Sequence, residues 1–255
     1  MRSCVIVFLL AVFVSHPLAA QEAFEIEVYP YATAHRGEWE FEAYLNHASR
    51  GTKVFDGSVA PTDGQWRFAA EVTRGITDHW EVSGYLLGAH VPDFGFEYAG
   101  WRLRSRVRAP ERWHLPVSVA FAAEYETTRP LFAESEHAAE FTTIFERRVA
   151  GVQLIVAPAF ERHLSGPERG EWELEPRARA AVAVSDKVTL GLEYQSVLGE
   201  LGNFKPARSQ VHQFFPTMDL ELAGDVELHF GVGFGATTVG DRLVFKTKFE
   251  MPLNR

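Results

Sequence analysis

The sequence predicts an all-β protein: an antiparallel transmembrane β-barrel of about twelve strands, formed after a cleaved signal peptide. Three observations predict this class. Apolar and polar residues alternate with a period of two from Gly37 almost to the C-terminus, as in strands whose successive side chains reach opposite faces of a sheet. The alternating segments approach the ~9–11 residues that a tilted membrane-crossing strand needs. Short links and longer links take turns between them, the habit of barrels with short turns at one end and loops at the other.

The chain opens MRSCVIVFLLAVFVSHPLAA. One basic residue, an apolar run from Val5 to Val14 and small residues after Pro17 form a secretory leader, with cleavage expected after Ala20. Residues 21–36 are read as an N-terminal extension, periplasmic or tucked into the lumen. Residues 37–251 form the barrel and 252–255 a C-terminal tail. The extension also alternates in EAFEIEVYPYATA, but counting it would make thirteen strands, whereas single-chain bacterial barrels have even numbers.

The barrel segments follow in order. GEWEFEAYLN sets Trp39, Phe41, Ala43 and Leu45 against Glu38, Glu40 and Glu42. QWRFAAEVT sets Trp66, Phe68, Ala70 and Val72 against Arg67 and Glu71, and HWEVSGYLL sets Trp80, Val82 and Leu86 against Glu81, Ser83 and Tyr85. GWRLRSRVRAP is the fourth, and LPVSVAFAAEYE the fifth, with Glu124 and Glu126 on its polar face. Seven more lie at AEFTTIFE, VQLIVAPAFE, EWELEPRARAAVAV, VTLGLEYQ, HQFFPTMDLEL, VELHFGVGFG and RLVFKTKFEM. Pro158, Pro176 and Pro216 fall inside strands, where each removes a ladder hydrogen bond. Pro158 and Pro176 lie almost symmetrically about their connecting loop, so they are expected to be neighbours at a bulge.

A soluble secreted β-sandwich would alternate in the same way. Strand length, loop asymmetry and the placing of Trp39, Trp66, Trp80 and Trp172 near strand ends favour the barrel, whose interfaces carry aromatic girdles.

Arg102, Arg104, Arg106 and Arg108 stand at every second position of the fourth segment. Trp101, Leu103 and Val107 then face lipid while the guanidinium groups line the lumen. Buried charge needs partners, and Glu38, Glu40, Glu42, Glu71, Glu81 and Glu124 share the inward parity. Folding the fourth strand on the third is expected to set Glu81 opposite Arg104. The row serves either as a salt-bridge ladder bracing the wall or as a charged lining that selects solutes.

Other chemistries are narrowed by composition. Cys4 is the only cysteine and lies in the leader, so the mature chain has no thiol. The net charge of −9, becoming −10 once Arg2 is removed (−9 − 1), argues against nucleic-acid partners. The expected partners are outer-membrane lipid and small polar or charged solutes; no cofactor or metal is implied, and His114, His212 and His229 lack metal-ligand spacing. His47, Ser49 and Gly51 in NHASRG are similar to the H-x-S-x-G stretch of the outer-membrane phospholipase A family. That likeness implies a serine nucleophile with a histidine base, but the family's asparagine partner has no counterpart in VAPTDG, and a polar loop entrance is the preferred reading.

FEIEVYPY, GEWEFEAYLN, GITDHWEVSGYL, GFEYAGWRLRSRV and GVGFGATTVGDRLVFKTKFE together resemble an uncharacterised, transporter-like family of proteobacterial outer-membrane barrels, itself similar to the broader group named for a phenol-degradation pathway. The resemblance spans nearly the whole mature chain. It implies an outer-membrane barrel that is channel- or transporter-like, without naming a solute or site residues. The readings kept beside it are a structural or interaction barrel without conductance and a lipid hydrolase using His47 and Ser49.

Overall fold

The computed structural model describes residues 23–254, so the leader lies outside the described residues. The strands are β1 (Trp39–Arg50), β2 (Trp66–Thr77), β3 (Trp80–Val91), β4 (Gly95–Arg108), β5 (Ser118–Thr128), β6 (His137–Val149) and β7 (Val152–His163). They continue with β8 (Trp172–Ser185), β9 (Val188–Val197), β10 (Gly199–Glu200), β11 (Val211–Glu221), β12 (Glu227–Gly235) and β13 (Leu243–Pro252). All pairs are antiparallel, and β1 pairs with β13 to close the sheet. The two-residue β10 carries the line of β9 onward beside β8. The wall is therefore a closed barrel of twelve strands, not two stacked sheets. Helix among the described residues amounts to two three-residue 3-10 turns, Glu111–Trp113 and Ala207–Ser209, and no helix is long and apolar enough to cross a membrane.

Alternation sorts the two faces of the wall. Leu86, Leu103, Phe121, Val156, Leu192 and Phe245 are exposed on the outside, while Tyr44, Glu71, Arg102, Glu193 and Lys246 are buried inside. That inverts a soluble protein and suits hydrocarbon around a polar interior. Trp39 and Trp80 open their strands at the short-turn end, and Trp66 and Trp172 open theirs at the loop end. Aromatic residues thus mark both rims, where amphipathic rings meet a membrane interface.

The prolines sit where a missing donor does least harm. Pro158 and Pro176 are direct register partners across β7 and β8. On its far side Pro158 meets a gap in the β6–β7 ladder, between the Thr142–Ala159 and Phe145–Val156 pairs. On the far side of Pro176 the register slips by one residue, from Arg177–Gln195 to Leu174–Gly199, and the Ser196 hydroxyl donates to the Pro176 carbonyl at 2.8 Å. Pro216 likewise pairs with Leu192 and faces an interruption in the ladder to β12.

One register differs from the sequence expectation. Arg104 stands opposite Ser83, and Glu81 stands opposite Arg106. Half of the two-position difference is a shift after Leu87, where Ala99 is left over between the Gly88–Tyr98 and Leu87–Gly100 pairs; the other half is set at the turn, which closes with Val91 opposite Gly95. Such a bulge moves every later partner by one position.

Residues 23–36 run through the lumen. Phe24, Glu25, Ile26, Glu27, Val28 and Tyr29 are all buried although they belong to no ladder. Their apolar members seed three interior clusters: Phe24 with Tyr85, Leu87 and Val91; Val28 with Ile144 and Ile155; and Ile26 with Phe215 and Val244. The wall's glycines make room for this filling. A Cβ on Gly233 would lie 2.2 Å from the Phe215 ring, and one on Gly231 2.7 Å from the Lys246 stem.

Candidate functional site

The segment that fills the lumen spans it from end to end. Near the loop end, Asn46 Nδ2 donates to the carbonyls of Ala23 (3.1 Å) and Phe24 (3.0 Å). At mid-depth, Lys246 Nζ donates to the Ile26 carbonyl at 2.9 Å. Towards the short-turn end, the Tyr31 amide donates to Glu146 and the Ala34 amide to Glu81. Barrel side chains thus take over the pairing that an unladdered, buried backbone still requires.

Alternation within the segment places Glu25, Glu27 and Tyr29 between its apolar residues. Glu25 is wholly buried and reaches Arg102 Nη1 at 2.8 Å and Arg104 Nη1 at 3.3 Å. The hydroxyls of Tyr29 and Tyr85 also donate to its carboxylate. The Arg104 guanidinium lies over the rings of Tyr29 (4.1 Å) and Tyr85 (5.1 Å), a geometry in which cation–π attraction adds to the ion pair. Glu27 meets Lys248 Nζ at 2.8 Å and accepts from the Tyr44 hydroxyl at 2.9 Å.

The residues singled out in the sequence fall as follows. Arg102 also pairs with Glu124 (2.9 Å) and Glu126 (2.8 Å), Arg104 with Glu71 (2.5 Å), and Arg106 with Glu81 (2.7 Å). Arg108 sits at the rim, donating to Glu111, Thr33 and the Tyr31 hydroxyl. Glu42 lies 2.6 Å from the same Tyr44 hydroxyl, whose one proton the Glu27 and Glu42 carboxylates share, and pairs with Lys248 (3.3 Å). Glu40 lies beside Glu42 and Glu250 at the short-turn end. Glu38 precedes β1 and accepts from the His35 amide at the rim. These side chains and the segment make one connected network, not a row with private partners.

Sequence reasoning missed the other half of that network. Lys246 and Lys248 on β13 and Arg177 and Arg179 on β8 are interior cations, paired with Glu193, Glu27, Glu140 and Asp219 respectively. Their inward parity was readable in EPRARAAVAV and RLVFKTKFEM. What no local pattern supplied was that Glu25 and Glu27 are the counter-charges, because parity within one strand says nothing of what lies across the lumen.

His47 and Ser49 are not brought together by a hydrogen bond among the described residues. The His47 ring stacks on Trp66 at 4.2 Å, and its Nδ1 lies 3.1 Å from the Gln65 carbonyl. His229 faces inward with Nδ1 2.5 Å from Asp219.

Small interior cavities flank the segment: about 70 Å3 between Phe24 and the loops at the mouth, and about 20 Å3 beside Ala23 and Ile26. The loops help to cover that mouth. The Ala60 amide donates to the Leu131 carbonyl, Phe132 packs edge-on against Phe24 at 5.6 Å, and Arg67 pairs with Asp241 at 3.1 Å.

No family model matches the sequence, and no curated protein is similar to it. Solved structures are similar in fold. The COG4313 outer-membrane channel of Pseudomonas putida F1 superposes with a TM-score of 0.61, covering 90% of this chain and 100% of that one at 9% identity. The NanC porin superposes with a TM-score of 0.52, covering 83% of this chain and 97% of that one at 6% identity. The likeness is one of fold. It is the fold of outer-membrane β-barrels, reached here also from the apolar outer face and the charged interior.

Proposed function

We propose that the protein is an outer-membrane channel held shut by its own N-terminal segment. The observation that carries this reading is the seating of residues 23–36 in the lumen through side-chain contacts alone, with no ladder to the wall. A segment held by ion pairs and side-chain donors leaves without breaking the barrel's own hydrogen bonds. Its fixed end is at the short-turn rim, where Gly37 and Glu38 exchange backbone hydrogen bonds with Gly75. Gly37 has a φ of +87°, a conformation that favours glycine, and there the chain turns from β1 into the lumen. A segment released from the lumen while still held at this rim would leave towards the short-turn side. The two similar structures are described as a channel and a porin, which supports conduction without naming a solute. The resemblance to the group named for a phenol-degradation pathway belongs to the same reading and likewise fixes no solute.

The test is conductance in planar bilayers. The native chain is expected to open rarely. The Glu25→Gln, Glu27→Gln double variant loses the segment's charged contacts with Arg102, Arg104 and Lys248 and is expected to open at least tenfold more often. Two folded proteins that are equally silent would instead favour a barrel that is structural only, plugged for good.

A further inference from the structure

The registers of β4 to β10 assemble a feature that no single strand shows. Arg104 stands opposite Glu124, Glu124 opposite Glu140, Glu140 opposite Glu161, Glu161 opposite Glu173, and Glu173 opposite Glu200. Five glutamates on successive strands thus form one row across the inner wall. It begins beside the Glu25 seat at Arg104 and ends at the mouth, where Glu173 and Glu200 line a cleft of about 670 Å3. Like charges set directly opposite one another in a sheet destabilise it, and an isostructural wall of Gln or Thr would avoid the cost.

Cations answer the row unevenly. Arg102 pairs with Glu124, and Arg177 pairs with Glu140. Towards the mouth the contacts of Glu161 and Glu173 are with one imidazole, that of His163, at 3.3 and 3.7 Å. His163 is 3% exposed, and its Nδ1, on the Glu161 side, makes no hydrogen bond. Three carboxylates, those of Glu161, Glu168 and Glu173, thus share a single buried imidazole, so negative charge exceeds positive at this end of the row. Phe24 and Phe132 line the same cavity as Glu161 and His163.

We propose that this row is the solute track of the channel and that it takes small amine cations. Rings of acidic side chains favour cations in pores, and the adjoining phenyl rings suit an alkylammonium through cation–π and apolar contact. A bare divalent metal fits less well, because it needs several oxygens converging on one point. Among the described residues the only acidic trio that close is Glu40, Glu42 and Glu250, at the opposite end. The proposal deepens the channel reading and rests on it for transport, though not for binding.

The full chain, folded in detergent, is titrated calorimetrically with 1,4-diaminobutane. Native protein is expected to bind it, and Glu161→Gln, Glu173→Gln to bind at least tenfold more weakly, with Mg2+ at equal concentration failing to displace it. Removing like charges relieves repulsion, so this variant should fold, which heat-modified gel mobility verifies. Absence of binding, equal affinity in both proteins, or displacement by Mg2+ would overturn the assignment. In bilayers under a KCl gradient, the Glu25→Gln, Glu27→Gln channel should reverse at a cation-selective potential that moves towards zero when Glu161 and Glu173 are also replaced. An anion-selective or unmoved potential counts against the track. Diamine binding with silent bilayers would reject conduction and leave the binding site standing.

Discussion

Arg104 shows what a single side chain does in this lumen. It joins Glu25 of the N-terminal segment to Glu71 of the wall and lies across two tyrosine rings. Removing one partner of a buried ion pair leaves the others charged and unsolvated, which costs about 3–5 kcal/mol. Arg104→Ala is therefore expected to lower barrel stability by about that amount, measured by urea unfolding in lipid vesicles. Glu168, in the loop between β7 and β8, behaves in the opposite sense. Burial raises its pKa, the His163 contact opposes that shift, and the Glu173 charge adds to it. An acid whose pKa is raised on folding binds its proton more tightly in the native state. The stability this contributes is present at low pH and lost as pH rises through the raised value. Glu168→Gln should therefore flatten the fall in the unfolding midpoint between acidic and neutral pH; an unchanged slope would show that the Glu168 proton is not linked to folding.

At the scale of elements, the twelve strands were legible because each repeats the same contrast of faces, and the three strand prolines were legible as irregularities. Their exact accommodation was not, since it depends on which neighbouring ladder each missing N–H would have served. The same holds for the Glu81 register, where Ala99 bulges without any local mark beyond its glycine neighbour. Turns carry their own constraints. Val149 and Val152 are joined by Ala150 and Gly151, both at positive φ (50° and 85°). A two-residue turn of this kind favours glycine or asparagine, and an alanine there costs about 1 kcal/mol. Ala150→Gly is expected to raise stability by roughly half to one kcal/mol, once the glycine's greater unfolded-state entropy is offset. At the other end of β2, a Cβ on Gly75 would come within 1.9 Å of the His35 carbonyl. Gly75→Ala should therefore push the base of the lumen segment off its seat and raise opening frequency while leaving the strands paired, a split that bilayer recording and gel mobility resolve together.

For the molecule as a whole, the sheet is continuous, and what differs between its two sides is only the solvent each side chain meets. Closure was legible from strand length, from the alternation of short and long links and from the tryptophans near strand ends. The place of residues 21–36 was left open between periplasm and lumen, because Phe24–Tyr29 reads locally as one more amphipathic strand: its apolar residues pack against Leu87, Ile144 and Phe215 within the barrel, not against lipid. Adjacent positions on β4 put the two-solvent argument to a direct trial. Leu103 is 56% exposed on the outer face and Arg104 is buried in the lumen, one residue apart. If the outer face meets hydrocarbon, Leu103→Arg should cost about 2–4 kcal/mol, the penalty for a cation near the bilayer midplane. The same substitution on a surface facing water would shift stability by no more than about 0.5 kcal/mol. Urea titration of the vesicle-inserted barrel separates these values, and a tolerated arginine at 103 would mean that water, not lipid, surrounds the wall.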